Sequence, residues 1–274
     1  MFNSSFKIAT VWGIPIKVHI SLIVWLLFIA LYIGLPGGPT AILFMLILGV
    51  CIFASIALHE LGHSFVAIRK GCRVREITLL FIGGAAKMEE IPTRPMDEFQ
   101  MAVSGPAVSL VLGAIGYLGG RYFLLHGFPL LGLFIASLGK INFFLTGFNL
   151  LPAFPMDGGR VFRALITPKF GRLRATFIAA RLGKIMAVLF GIYGFISQHW
   201  ILVFIAFFIY TAAGNEYRMV QFQEAARQQG FNFWSTFQER RNGYSNDDKV
   251  MISPPPFESG PGSETTIHSM DDDG

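Results

Sequence analysis

The chain has 274 residues, of which 53% are hydrophobic and only 14% charged, with a net charge of +5 and a mean hydropathy of +0.55. A soluble domain carries about a quarter charged residues, so the composition excludes an ordinary soluble globule and indicates a polytopic membrane protein. The excess of positive charge does not indicate nucleic-acid binding, because the basic residues border apolar runs and form no single stripe; with two cysteines, Cys51 in an apolar run and Cys72 in a basic loop, no disulfide framework is expected.

In chain order, residues 1–18 alternate apolar and polar around Gly13 and Pro15 and predict short strands on the membrane surface. Apolar runs follow at about 19–36, 40–67, 100–124, 128–150, 178–198 and 200–214. The expected fold is therefore an all-α polytopic membrane protein with about six transmembrane helices and small membrane-associated β segments. The last two runs are the weakest, being separated by Gln198-His199-Trp200, and a single long helix is the alternative. No short cleavable leader is expected at the N-terminus.

The second run ends in His59-Glu60-Leu61-Gly62-His63. On a helix, histidines four apart project from one face and can share a zinc ion, with the intervening glutamate placed to act as a general base on water. The preceding stretch, Thr40 to Leu58, carries no charge, so its helix would carry this cluster into a bilayer, where ionisable groups mark function. The alternative is a solvated helix end.

The 68–98 loop holds Arg69, Lys70, Arg73, Arg75, Lys87 and Arg94. The 158–184 stretch holds Arg160, Arg163, Lys169, Arg172, Arg174, Arg181 and Lys184, and the opposite loops hold only Arg121. Positive charge marks the cytoplasmic side, so both stretches, both termini and the opening of the site are expected there. Arg73 to Thr78 alternates and is followed by a Gly83-Gly84 break, which predicts strands; an exposed edge could hold an extended peptide, and an ordinary surface hairpin is the alternative.

A catalytic zinc wants three protein ligands and an open position. Val66 and Arg69 stand where an extended H-x-x-G-x-x-H motif needs Gly and His, so the third ligand must lie elsewhere. Asp157 is the single acid between Phe99 and Ala213, within Asn149-Leu150-Leu151-Pro152-Ala153-Phe154-Pro155-Met156-Asp157-Gly158-Gly159-Arg160. The prolines stop the preceding helix and let the chain aim one carboxylate at the metal; a helix-capping role is the alternative. Asn142 and Asn149 share a helical face, with an interhelical hydrogen bond favoured for Asn142. Lys140 lies on the opposite face from Asn149, where it would snorkel or pair with another helix.

After Gly214 the membrane signal stops. The expected organisation is a membrane-embedded unit over 1–214, a juxtamembrane helical segment over 215–242 and a disordered tail over 243–274, rich in Ser, Pro, Gly and Asp.

HELGH followed by NLLPAFPMDGGR resembles the site-2 protease family of intramembrane zinc metalloproteases. Ser104-Gly105-Pro106 and Gly83-Gly84 also fit, and the resemblance covers about residues 6–214. It implies one Zn2+ per chain held by His59, His63 and Asp157, with Glu60 as general base and Asn149 as oxyanion stabiliser. It implies cleavage of single-pass membrane proteins within the lipid bilayer; the placement of the basic residues separately argues for no nucleic acid partner. Members with a PDZ domain insert it after the catalytic helix, where Ile68 to Glu98 is too short, and others end in paired CBS modules, for which the residues after Gly214 are too few and too polar; a minimal form is expected. A membrane transporter, a non-catalytic zinc-binding adaptor and a lipid hydrolase are the competing classes.

Overall fold

The computed structural model describes residues 5–81, 83–88, 92 and 94–243. Two strands, β1 (Ser5–Val11) and β2 (Ile14–His19), open the chain as a hairpin. Its turn is Trp12-Gly13, both at positive φ, as a tight two-residue hairpin turn requires. Helix α1 (Ile20–Gly34), a 3₁₀ turn at Leu35–Gly37 and α2 (Gly38–Arg69) follow. Strands β3 (Val74–Leu80) and β4 (Gly83–Met88) lead to α3 (Pro95–Leu125) and α4 (Pro129–Asn149). The short α5 (Asp157–Phe170) precedes α6 (Arg172–Ile196) and α7 (Trp200–Gly243).

Among the described residues, five segments are long and apolar enough to cross a membrane, the first being the 50 residues Ile20–Arg69. That segment folds back on itself. Gly34 lies against Ile42 and Gly49 against Leu26, so α1 and α2 are antiparallel neighbours. With α3, α4, α6 and α7 the expected count of about six helices holds. The last two are separate, because the chain reverses at Ser197–His199 and Gly194 of α6 lies against Leu202 and Val203 of α7. Beyond Gly214, α7 continues unbroken to Gly243 through the expected juxtamembrane segment. A first compact unit runs to Glu224 and a second begins at Ala225; of the expected tail, residues 244–274 lie outside the described residues.

The sheet has the order β1-β2-β3-β4. β1 and β2 pair antiparallel, as do β3 and β4, whereas β2 and β3 pair parallel through Ile16↔Ile77, Lys17↔Thr78 and Val18↔Leu79. Gly83 and Gly84, expected as a break, are instead the first two residues of β4. Alternation places Ile14 and Ile16 of β2 and Ile77 and Leu79 of β3 on one face, buried with Leu22 and Leu61 and flanked by Phe53, Ile56 and Ala57. The sheet therefore packs onto the end of α2 that carries HELGH.

Small residues set the α3–α4 contact. A Cβ on Gly116 would come within 2.8 Å of Gly139 Cα, and one on Gly120 within 2.4 Å of Ala136 N. Backbones in lipid approach this closely only across such residues. Asn142 of α4 donates to Ser55 Oγ of α2 at 3.2 Å, the interhelical bond expected of it. Lys140 lies exposed on the outer face of α4 and makes no ion pair among the described residues.

Candidate metal centre

His59 and His63 project one turn apart from α2, both only 4% exposed. Asp157 is the first residue of α5; Met156 occupies the cap position, and no side chain caps the helix. Asp157 thus reaches the histidines and is not a capping residue. His59 Nε2 and His63 Nε2 lie 3.1 Å apart. Asp157 Oδ2 is 3.1 Å from the first and 3.2 Å from the second. Three ligands around a tetrahedral zinc stand about 3.3 Å from one another. The triangle fits that ion, and these three residues form a group able to hold a metal.

The second nitrogens of both rings support the same use. His63 Nδ1–H donates to the Met101 carbonyl at 2.7 Å. A carbonyl only accepts, so Nδ1 carries the proton and the Nε2 lone pair is left for a metal. His59 Nδ1 is 2.9 Å from Ser109 Oγ, a buried hydroxyl that can accept in the same way. Both partners come from α3.

α3 reaches α2 because Ser104-Gly105-Pro106 contains a glycine. A Cβ on Gly105 would fall 2.2 Å from His63 Nε2, and one on Gly62 would fall 2.9 Å from the Ser104 carbonyl.

The Asp157 side is built by close backbone packing. A Cβ on Gly158 would lie 2.3 Å from the Leu150 and Leu151 carbonyls, and one on Gly159 2.6 Å from Ala153 C. α6 supports the loop from beneath: a Cβ on Gly183 would sit 2.0 Å from the Phe154 carbonyl oxygen. Burial works against a charged Asp157, but His63, His59 and Arg160 more than offset it and hold its carboxyl below the usual range.

Glu60 is half-buried beside the histidines, against β4. A Cβ on Gly84 would lie 2.5 Å from Glu60 Cγ and 3.2 Å from Oε1. A side chain in place of Gly84 would force the Glu60 side chain to move. Asn149 is the last residue of α4, half-buried, and makes no hydrogen bond to His59, His63 or Asp157 among the described residues.

Three contributors were not foreseen. Ser109 and the Met101 carbonyl orient the histidines; a serine inside an apolar run was the available signal for the first, and a main-chain carbonyl offers none. The third is Arg163, expected as a loop charge but fully buried among acids.

The fold and this cluster define a multi-pass helical membrane protein with a candidate metal centre of two histidines and one aspartate. The model of Peptidase family M50 matches residues 46–130 and 130–190, and the chain belongs to that family. It is similar to the zinc metalloprotease MJ0392 of Methanocaldococcus jannaschii, 40% identical over 221 residues, 80% of this chain and 62% of that protein. The stage IV sporulation protein FB of Bacillus subtilis is 28% identical over 149 residues, 53% of this chain and 46% of that protein. A solved site-2 protease from Methanocaldococcus jannaschii superposes with a TM-score of 0.60 at 36% identity, covering 78% of this chain and 95% of that one. The chain spans less than two thirds of the length of the curated relatives it matches.

Proposed function

We propose that the protein is an intramembrane zinc endopeptidase that cleaves transmembrane segments of single-pass membrane proteins. His59, His63 and Asp157 hold the ion, Glu60 is the general base and Asn149 the oxyanion donor. The observation that carries this reading is the triangle of ligand atoms, 3.1 to 3.2 Å on each side. When bound, zinc supplies Lewis acidity toward water and the attacked carbonyl. Glu60 removes the water proton and returns it to the leaving amine. The Asn149 amide donates to the oxygen that gains charge as the carbonyl is attacked.

A transmembrane helix hides its carbonyls in its own hydrogen bonds, so the substrate must unwind. β4 is an edge strand of the sheet and passes Glu60 at Gly84. An unwound segment paired with β4 would run beside the base. Pairing of β2 with β3 in one sheet, with the antiparallel α1 and α2 between them, supports a reading in which both hairpins lie on one side of the membrane. Together with the basic 68–98 and 158–184 stretches, this supports a site that opens to the cytoplasm, with cytoplasmic termini.

The test incubates the purified protein with a transmembrane peptide, with and without a zinc chelator, beside Glu60→Gln. Cleavage is expected to stop with chelator. In Glu60→Gln it should fall by about 10²–10⁴ while zinc stays bound, since general base catalysis contributes about that much. Chelator-resistant cleavage, or wild-type turnover by Glu60→Gln, would overturn the reading.

A further inference from the structure

Arg163 is 0% exposed, and Glu98, at the start of α3, is 2% exposed. Arg163 Nε donates to Glu98 Oε1 at 2.7 Å, and Nη2 donates to the same oxygen. Nη1 donates to Glu216 Oε1 of α7 at 3.1 Å. The guanidinium carbon lies 4.8 Å from the centre of the Phe154 ring, within the loop that leads to Asp157. A buried guanidinium is costly unless paired and fully hydrogen-bonded, and such a cluster is weak evidence for stability. Its better attested use is to fix one arrangement among several.

Which arrangement it fixes follows from where its members sit. Arg163 is on α5, six residues after Asp157, and so points to a different face of that helix. Asp157 faces the histidines while Arg163 faces α3 and α7. Glu98 lies three residues before Met101, on the same side of α3. Met101 holds His63 through its carbonyl, and Glu98 holds α5 through Arg163. One stretch of α3 therefore grips both halves of the metal centre.

We infer that Arg163, held by Glu98 and braced by Glu216, is a positioning residue for the metal centre: it fixes α5 against α3 so that the Asp157 carboxylate meets the histidines at ligand spacing. This rests on the reading of Asp157 as a zinc ligand and holds for any substrate.

The experiment measures zinc affinity of the full chain in detergent by chelator competition. Visible absorption of the cobalt(II)-loaded protein gives a second readout, sensitive to coordination geometry. Arg163→Met should weaken zinc by about tenfold or more, the low end of what loss of a supporting contact costs a metal site, and alter the cobalt spectrum. Arg163→Lys keeps the charge but loses the forked contact, and should fall between Arg163→Met and wild type. Arg163→Met with Glu98→Gln removes the guanidinium and its fully buried partner charge, leaves only the partly exposed Glu216 without its partner, and keeps the test valid if the single variant fails to fold. A folded double variant with wild-type affinity and spectrum would overturn the inference. Asp157→Ala is the control. If Asp157→Ala leaves zinc binding unchanged, the ligand reading fails; if it weakens zinc while the Arg163 variants do not, only the positioning role fails.

Discussion

The histidines and the aspartate meet at one point but are held there in different ways. His59 and His63 ride on α2, a continuous helix of 32 residues, and local geometry alone sets their spacing. Asp157 follows a loop with two prolines and depends on contacts from α3, α6 and α7. The histidine half is built by periodicity and the aspartate half by tertiary packing. Variants in the first should therefore remove ligands, whereas variants in the second should move one.

His63→Ala should have the largest effect. It deletes one of the three ligands, and zinc measured after dialysis should be lost. Asp157→Asn should come next, because a neutral amide oxygen binds zinc more weakly than a carboxylate. Chelator competition should show weaker zinc than wild type but more than His63→Ala retains. Equal affinity to wild type would mean that another residue completes the site.

Gly183→Ala probes the packing that carries Asp157. Its Cβ would fall 2.0 Å from a main-chain oxygen, which cannot rotate away. Overpacking of this kind costs about 1–3 kcal/mol. Thermal unfolding in detergent should shift down and zinc affinity should fall with it. Wild-type affinity in a destabilised protein would separate the loop from the ligand and remove the contrast. Ser109→Ala should have the smallest effect, about tenfold in zinc affinity, since it removes one support from a ring that α2 already places.

The same division explains what the sequence revealed. HELGH could be read because two residues four apart on a helix need no other element to meet. Asp157 could be read because it is the single acid between Phe99 and Ala213. The purpose of Ser104-Gly105-Pro106 could not, because it lies in a contact between helices. The partners of Arg163 are not legible for a physical reason: the rule that sorts basic residues to the cytoplasmic side says nothing of pairing, and the contact with Glu98 spans 65 residues of chain. The strands were legible as alternation, but not the parallel pairing of β2 with β3, since the helices between them decide it.

That parallel pairing makes the sheet depend on distant parts of the chain. β2 and β3 are joined by the whole α1–α2 hairpin, and no shorter path connects them. Their ladder closes around the 50 residues Ile20–Arg69. Closing so long a loop is entropically costly unless the intervening chain is already structured. The strand that passes Glu60 is thus expected to settle only once the α1–α2 hairpin has formed.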